Sequence, residues 1–221
     1  MNEPQRFRDR AEAGQRLAER LRELPIERGI VLALPRGGVL VGYEIARILQ
    51  LPLDVILTRK IGAPFNPEYA IGVVAENGFV SVNRQELELG VATPDYIARA
   101  VRELSAELMR RRQRYRGGRP LPDLTGRTAI IVDDGVATGF TMLGAIAAVK
   151  EQHPARLIAA LPVAPPQAVE QLAPQVDDLV VLLTPDPLDG VGAWYEDFRQ
   201  LDDNEVVALL QRAQQELAQA P

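Results

Sequence analysis

Two adjacent carboxylates, Asp133 and Asp134, end the apolar run Thr128 to Val132, and a turn of glycines and hydroxyls, Gly135 to Thr141, follows them. The apolar spacing then becomes helical. A strand, a turn and a helix start within about a dozen residues suit one kind of ligand. The first N–H groups of a helix lack intrahelical partners, and with the positive end of the helix dipole they bind a phosphate dianion. Gly135 and Gly139 let the backbone come close to such a ligand, and Thr138 and Thr141 can add hydroxyl donors. A carboxylate is a poor neighbour for phosphate but a strong acceptor for sugar hydroxyls. Open α/β sheets bind ligands at the carboxyl ends of their strands. Phosphate at one end and a diol at the other describe a ribose 5-phosphate.

The ten residues Val132-Asp133-Asp134-Gly135-Val136-Ala137-Thr138-Gly139-Phe140-Thr141 resemble the phosphoribosyl-diphosphate (PRPP) signature of type I phosphoribosyltransferases. The resemblance implies that Asp133 and Asp134 bind the ribose 2′- and 3′-hydroxyls, and that Ala137 to Thr141 wrap the 5′-phosphate. It covers roughly residues 29–163 through the order of elements and loops. The C-terminal third matches only in strand and helix character.

A second turn, Pro35-Arg36-Gly37-Gly38, closes the apolar run Gly29 to Leu34. Its glycines offer N–H groups and Arg36 a guanidinium. In the resembled family this is the pyrophosphate-binding loop, often with a cis non-proline peptide, which places a cis bond at Arg36 or Gly37. Arg59 and Lys60 follow the second apolar run, Asp54 to Leu57, as two cations for a diphosphate. The stretch Ile61 to Tyr69, with Gly62, Pro64 and Pro67, is expected to open a mobile loop that closes over substrate, and Glu68 within it is a candidate for proton transfer or simply an exposed carboxylate. Trp194, Tyr195 and Phe198 read equally as a hood stacking on a planar acceptor or as a satellite core under the last helix. The six arginines of the stretch Arg110 to Arg119 read as a polyanion patch or, in preference, as a solvated helix end, since cations suit the negative end of the dipole.

A chain of 221 residues, 47% hydrophobic, supports one sizeable core with a small appendage. The expected division is a single domain, with a core at about 29–183 and a hood from the N-terminal helix and about 184–221. A net charge of −5 argues against bulk attraction to nucleic acid or anionic membrane. Without cysteine there is no thiol chemistry, and a single histidine, His153, rules out a histidine-rich metal site. No apolar run reaches the ~18 residues of a membrane span, and the polar start of the chain lacks a signal-peptide core, so a soluble cytoplasmic protein is expected.

Buried runs alternate with helical periods along the chain. Helices are expected at Phe7 to Leu24, Val39 to Leu49, Pro94 to Arg116, Thr141 to Lys150, Ala168 to Leu172 and Asn204 to Leu217; further strands at Leu157 to Val163 and Leu179 to Leu183. Ala70 to Ala75 and Phe79 to Val82 flank Asn77-Gly78, a hairpin signal. The alternation argues a mostly parallel twisted sheet with helices on both faces. The resemblance adds a small hood segment and a β-hairpin or flexible-loop insertion.

The resulting expectation is phosphoribosyl transfer from PRPP to a nucleobase or similar nitrogen acceptor, with loss of pyrophosphate. Asp133, Asp134, Lys60 and Arg36 carry the catalysis. Magnesium is expected to come with PRPP, held by phosphate oxygens, diol oxygens and waters, with no direct protein ligand. The resemblance also makes a homodimer plausible. The alternative is a protein that senses PRPP without turnover. A dinucleotide-dependent oxidoreductase fails on the missing GxGxxG after the first strand.

Overall fold

The computed structural model describes residues 6–219, and the side chain of Glu68, with its expected proton-transfer role, lies outside the described residues. In chain order the elements are α1 (Arg10–Leu21), β1 (Ile30–Ala33), α2 (Gly38–Leu49), β2 (Leu53–Val55), β3 (Thr58–Ala63), β4 (Asn66–Ala75), β5 (Val80–Val82), α3 (Arg84–Glu88), α4 (Pro94–Arg116), β6 (Thr128–Val132), α5 (Phe140–Lys150), β7 (Arg156–Val163), α6 (Pro166–Leu172), β8 (Asp178–Leu183) and α7 (Asp203–Ala218).

Strands apolar on both faces must be covered on both faces. β1, β6 and β7 satisfy this in the middle of a five-stranded sheet ordered β2-β1-β6-β7-β8, parallel throughout. Side chains alternate across it. Ile30, Leu32, Ala129, Ile131, Leu157 and Ala159 meet Met142, Ile146 and Leu172 of α5 and α6. Val31, Ile130, Val132, Ile158 and Ala160 meet Leu17 and Leu21 of α1 and Ile45 of α2. Thus α1, expected as part of a hood, is a layer element, and only its start reaches the carboxyl ends of the strands. α1 packs tightly on α2 because Gly14 has no side chain; a Cβ there would stand 2.7 Å from the Val41 carbonyl.

A second, antiparallel sheet, β3-β4-β5, packs beside the first. This corrects two expectations. Arg59 and Lys60, expected to follow the second strand directly, lie within a further strand, β3, and Ile61 to Tyr69, expected to open a mobile loop, spans the β3–β4 hairpin, the hairpin form of the expected insertion. The physical reason is the alternation of Ile61 and Ala63, both fully buried, with more polar positions, which gives the segment an inner face against Leu108 of α4. The hairpin expected at Asn77-Gly78 forms between β4 and β5, with Gly78 at φ +87°. β4 touches α5 at one close approach: a Cβ on Gly144 would lie 2.4 Å from Cγ2 of Val73.

α4 starts at Pro94, capped by the Thr93 hydroxyl, and ends on Gly117 at φ +60°, as the residue types require. Its arginine-rich end is not simply solvated, contrary to the sequence reading. Arg116 is 5% exposed. It pairs with Glu76 of the β4–β5 turn and lies 3.3 Å from Asp54 of β2. Burial raises the carboxyl pKa of both acids, and Arg116 opposes that rise. The long-range pairing therefore draws in a cation that dipole arguments alone leave in water.

Removing Arg116 would strand a buried carboxylate. Arg116→Met is expected to lower unfolding stability by about 3–5 kcal/mol, read from urea unfolding at neutral pH, with the loss shrinking in acid as Glu76 takes up a proton.

Candidate functional site

Adjacent parallel strands deliver two turns side by side. After β6, Gly135 takes φ +147° and Val136 is held by its N–H to the Val163 carbonyl, 3.0 Å. Ala137 and Thr138 are exposed, and Gly139, at φ +73°, starts α5 with no side-chain cap. The first N–H groups of α5 thus have no capping side chain. Phe140 is half-buried and Thr141 exposed.

After β1, the Leu34 N–H donates to the Val132 carbonyl at 2.8 Å, joining the two strands at their ends. The Pro35–Arg36 peptide bond is cis, at the first of the two positions expected. A Cβ on Gly37 would fall 1.8 Å from Oδ2 of Asp134, and one on Gly38 would fall 2.9 Å from Cα of Asp133. The glycines are thus required by the neighbouring turn as well as by any ligand.

Between the turns and the second sheet lies a cavity of about 250 Å³, lined by Leu34, Pro35, Leu57, Thr58, Arg59, Leu108, Arg111, Asp133 and Thr141. Arg59 and Arg111 share one carboxylate, Glu107, at 2.6 and 3.1 Å. Burial works against the charge on Glu107, yet the two arginines hold its pKa below the usual range. The Thr58 hydroxyl is buried with no hydrogen-bond partner among the described residues. The charge of Arg36 reaches Tyr115 and Asp203, where the Tyr115 hydroxyl donates to the carboxylate at 2.6 Å. Burial, then Asp203, pushes the Tyr115 phenol up to about 12. Lys60, half-buried on β3 opposite Val73, lies outside the cavity lining. Larger depressions of about 440 and 370 Å³ run along α7. The first contains Arg114 and Arg116, but these already face Asp203 and the Glu76–Asp54 pair.

The two acids are not equivalent. Asp133 keeps part of its surface open to the cavity while protein crowds it elsewhere. Desolvation first, then Asp134, raises its carboxyl well above the usual range, with Arg10 opposing. Its Oδ1 accepts the Asp134 N–H at 2.9 Å. Asp134 instead turns to Arg10 of α1, with Oδ2 2.7 Å from Nε. Arg10 is 6% exposed, lies over the Phe198 ring at 3.8 Å and donates to the Arg199 carbonyl at 2.8 Å.

The aromatics resolve toward packing. Tyr195 is 4% exposed, flanked by the rings of Phe7 at 5.4 Å and Phe198 at 5.0 Å, so it has no open face for a planar acceptor. Trp194 and Phe198 join the same small cluster, which sits against the start of α1 rather than under the last helix. The Tyr195 hydroxyl donates to the Asp134 carbonyl at 2.6 Å. Arg10, Thr58 and Arg111 went unread in the sequence. Arg111 sat in an arginine run that looked solvated, and Arg10 and Thr58 carry no local signal.

Residues 6–183 match the family described as "Phosphoribosyl transferase domain". A Mycobacterium tuberculosis H37Rv protein named "Putative phosphoribosyl transferase Rv0571c" is 42% identical over 217 residues, 97% of this chain and 48% of its own length. The chain therefore spans about half the length of the curated relatives it matches. Among solved structures, TT1426 of Thermus thermophilus is 44% identical, with TM-score 0.83 over 94% of this chain and 98% of that one. A Neisseria gonorrhoeae hypothetical protein, solved with bound ppGpp, is 15% identical with TM-score 0.51 over 95% and 99%, a likeness of fold alone.

Ionised Asp133 is held against desolvation and a like charge. A raised folded pKa means that its stability contribution is present below the unfolded pKa and lost as pH rises through the folded one. Asp133→Asn is therefore expected to raise stability at neutral to alkaline pH. The gain should vanish in acid, and thermal unfolding across pH reads it.

Proposed function

Because the chain belongs to the phosphoribosyl transferase domain family, we propose that it transfers ribose 5-phosphate from PRPP to a nitrogen acceptor such as a nucleobase, releasing pyrophosphate. The observation that carries the reading is the convergence, around one cavity, of Asp133 and Thr141 from the β6–α5 turn, Pro35 from the β1–α2 turn and the paired cations Arg59 and Arg111.

The acceptor nitrogen attacks C1 of the ribose, and the bond from C1 to the diphosphate oxygen breaks. The nitrogen's proton leaves with the product anion or to water. The transition state has oxocarbenium character, so the protein must hold both ends still and stabilise the departing charge. The uncapped start of α5, with Gly135, Val136, Ala137, Thr138, Gly139 and Phe140 shaping the approach, holds the 5′-phosphate. Asp133 accepts from the sugar hydroxyls, and its negative charge favours the cationic ribosyl group. Arg36, the Gly37 and Gly38 amides, Arg59 and Arg111 receive the diphosphate, and the partnerless Thr58 hydroxyl supplies a further hydrogen bond. Lys60 adds positive charge from the neighbouring strand position. Magnesium carried by the diphosphate would supply counter-charge there, beside the cavity residues Arg59, Arg111 and Asp133.

A pyrophosphate-release assay with PRPP, magnesium and a panel of nucleobases tests the reading. Wild-type protein is expected to release pyrophosphate with at least one acceptor. Asp133→Asn should lower turnover by about 10²–10³ with unchanged circular dichroism, and Arg111→Gln should raise the KM for PRPP by about tenfold. Binding of PRPP with no release across the panel would favour a sensing protein, and no binding would end the proposal.

A further inference from the structure

We propose that Arg10 is the positioning residue of the sugar site: it takes the Asp134 carboxylate out of the cavity, pins it on the Gly37 turn, and leaves Asp133 as the acid presented to the sugar hydroxyls. This rests on the phosphoribosyl-transfer reading and divides the labour of the two acids within it.

The geometry is one-sided. Oδ2 of Asp134 lies 2.7 Å from Nε of Arg10, and a Cβ added to Gly37 would fall 1.8 Å from that same oxygen. The carboxylate therefore lies over the Gly37 backbone, filling space that only a glycine leaves. Asp133 lines the cavity; Asp134 is not part of its lining. Arg10 is itself fixed from several sides, by the Arg199 carbonyl at 2.8 Å and the Phe198 ring at 3.8 Å. Tyr195 holds the main chain of the same acid, donating to the Asp134 carbonyl at 2.6 Å. A buried guanidinium held this firmly makes a fixed ion pair and not a fluctuating surface contact.

The consequence for Asp133 is electrostatic. The charged groups facing it are Asp134 on its own turn, Arg10 from α1, and Arg59 and Arg111 across the cavity from β3 and α4. Arg10 offsets Asp134 and so favours the ionised Asp133, which accepts from two hydroxyls where the protonated form accepts poorly. Without Arg10 the uncompensated Asp134 would keep a proton on Asp133 to higher pH. Without the Asp134 charge the proton would leave at lower pH. The two variants must therefore move sugar binding in opposite directions along the pH axis.

Calorimetric titration with ribose 5-phosphate, from acid to alkaline pH, tests this. Wild-type affinity should rise with pH. Arg10→Gln should shift the rise to higher pH, a severalfold loss of affinity at the wild-type midpoint, and Arg10→Lys should recover most of it. Asp134→Asn should shift the rise downward and keep its plateau. If Arg10→Gln titrates like wild type, or if Asp134→Asn loses affinity at every pH, Arg10 has no such role and Asp134 touches the sugar itself. Should Arg10→Gln fail to fold by circular dichroism, the Asp134→Asn profile decides alone. Wild-type protein that ignores ribose 5-phosphate at all pH values would instead sink the transfer reading.

Discussion

The parallel pairing of β1 with β6 is the constraint on which the site depends. Register sets Ala33 beside Val132, and the Leu34 N–H carries the ladder one bond further to the Val132 carbonyl. Both chains must then turn at the same level. The turns are so close that Gly37 and Gly38 have no room for side chains against Asp134 and Asp133. Two turns held this close open onto one cavity, lined by Pro35 from the first and by Asp133 and Thr141 from the second. The hydrophobic layers on either face keep the strands in register, because a slip of one residue would send Ile131 and Val132 to the wrong sides.

Much of this was legible residue by residue. The apolar run Thr128 to Val132 is β6 as read, and Pro94 and Gly117 mark the ends of α4. These features rest on short-range physics: periodicity, caps and glycine conformation. What escaped is long-range. Arg10 meets Asp134 across 124 positions, and Arg116 meets Glu76 across 40. No window of sequence holds both partners of either pair. The strand β3 escaped for a different reason. Its polar, glycine-containing sequence reads as loop until a partner strand and the flank of α4 cover Ile61 and Ala63. The aromatics near Tyr195 were open to two readings, and the burial of Tyr195 between Phe7 and Phe198 decided between them.

Buried charge is handled in two ways in the one chain. At Arg116, one cation serves two acids, and the cluster ties the second sheet, α4 and the β2 edge together. At Asp133 and Asp134, two acids share one nearby cation and one of them is left exposed to a cavity. The first arrangement is a fastening. The second leaves the ionised form of Asp133 disfavoured by burial and by Asp134.

The contact of Gly144 with Val73 has a mechanical meaning. Val73 belongs to the strand that pairs with Arg59 and Lys60 across β3, and Gly144 to the helix that starts at the turn after β6. The second sheet and α5 thus bear directly on each other, the Val73 side chain resting on the Gly144 backbone. A methyl group there would push the strand that pairs with β3 away from the helix that follows Asp133 and Asp134, so the spacing of these two elements is set by one missing methyl group.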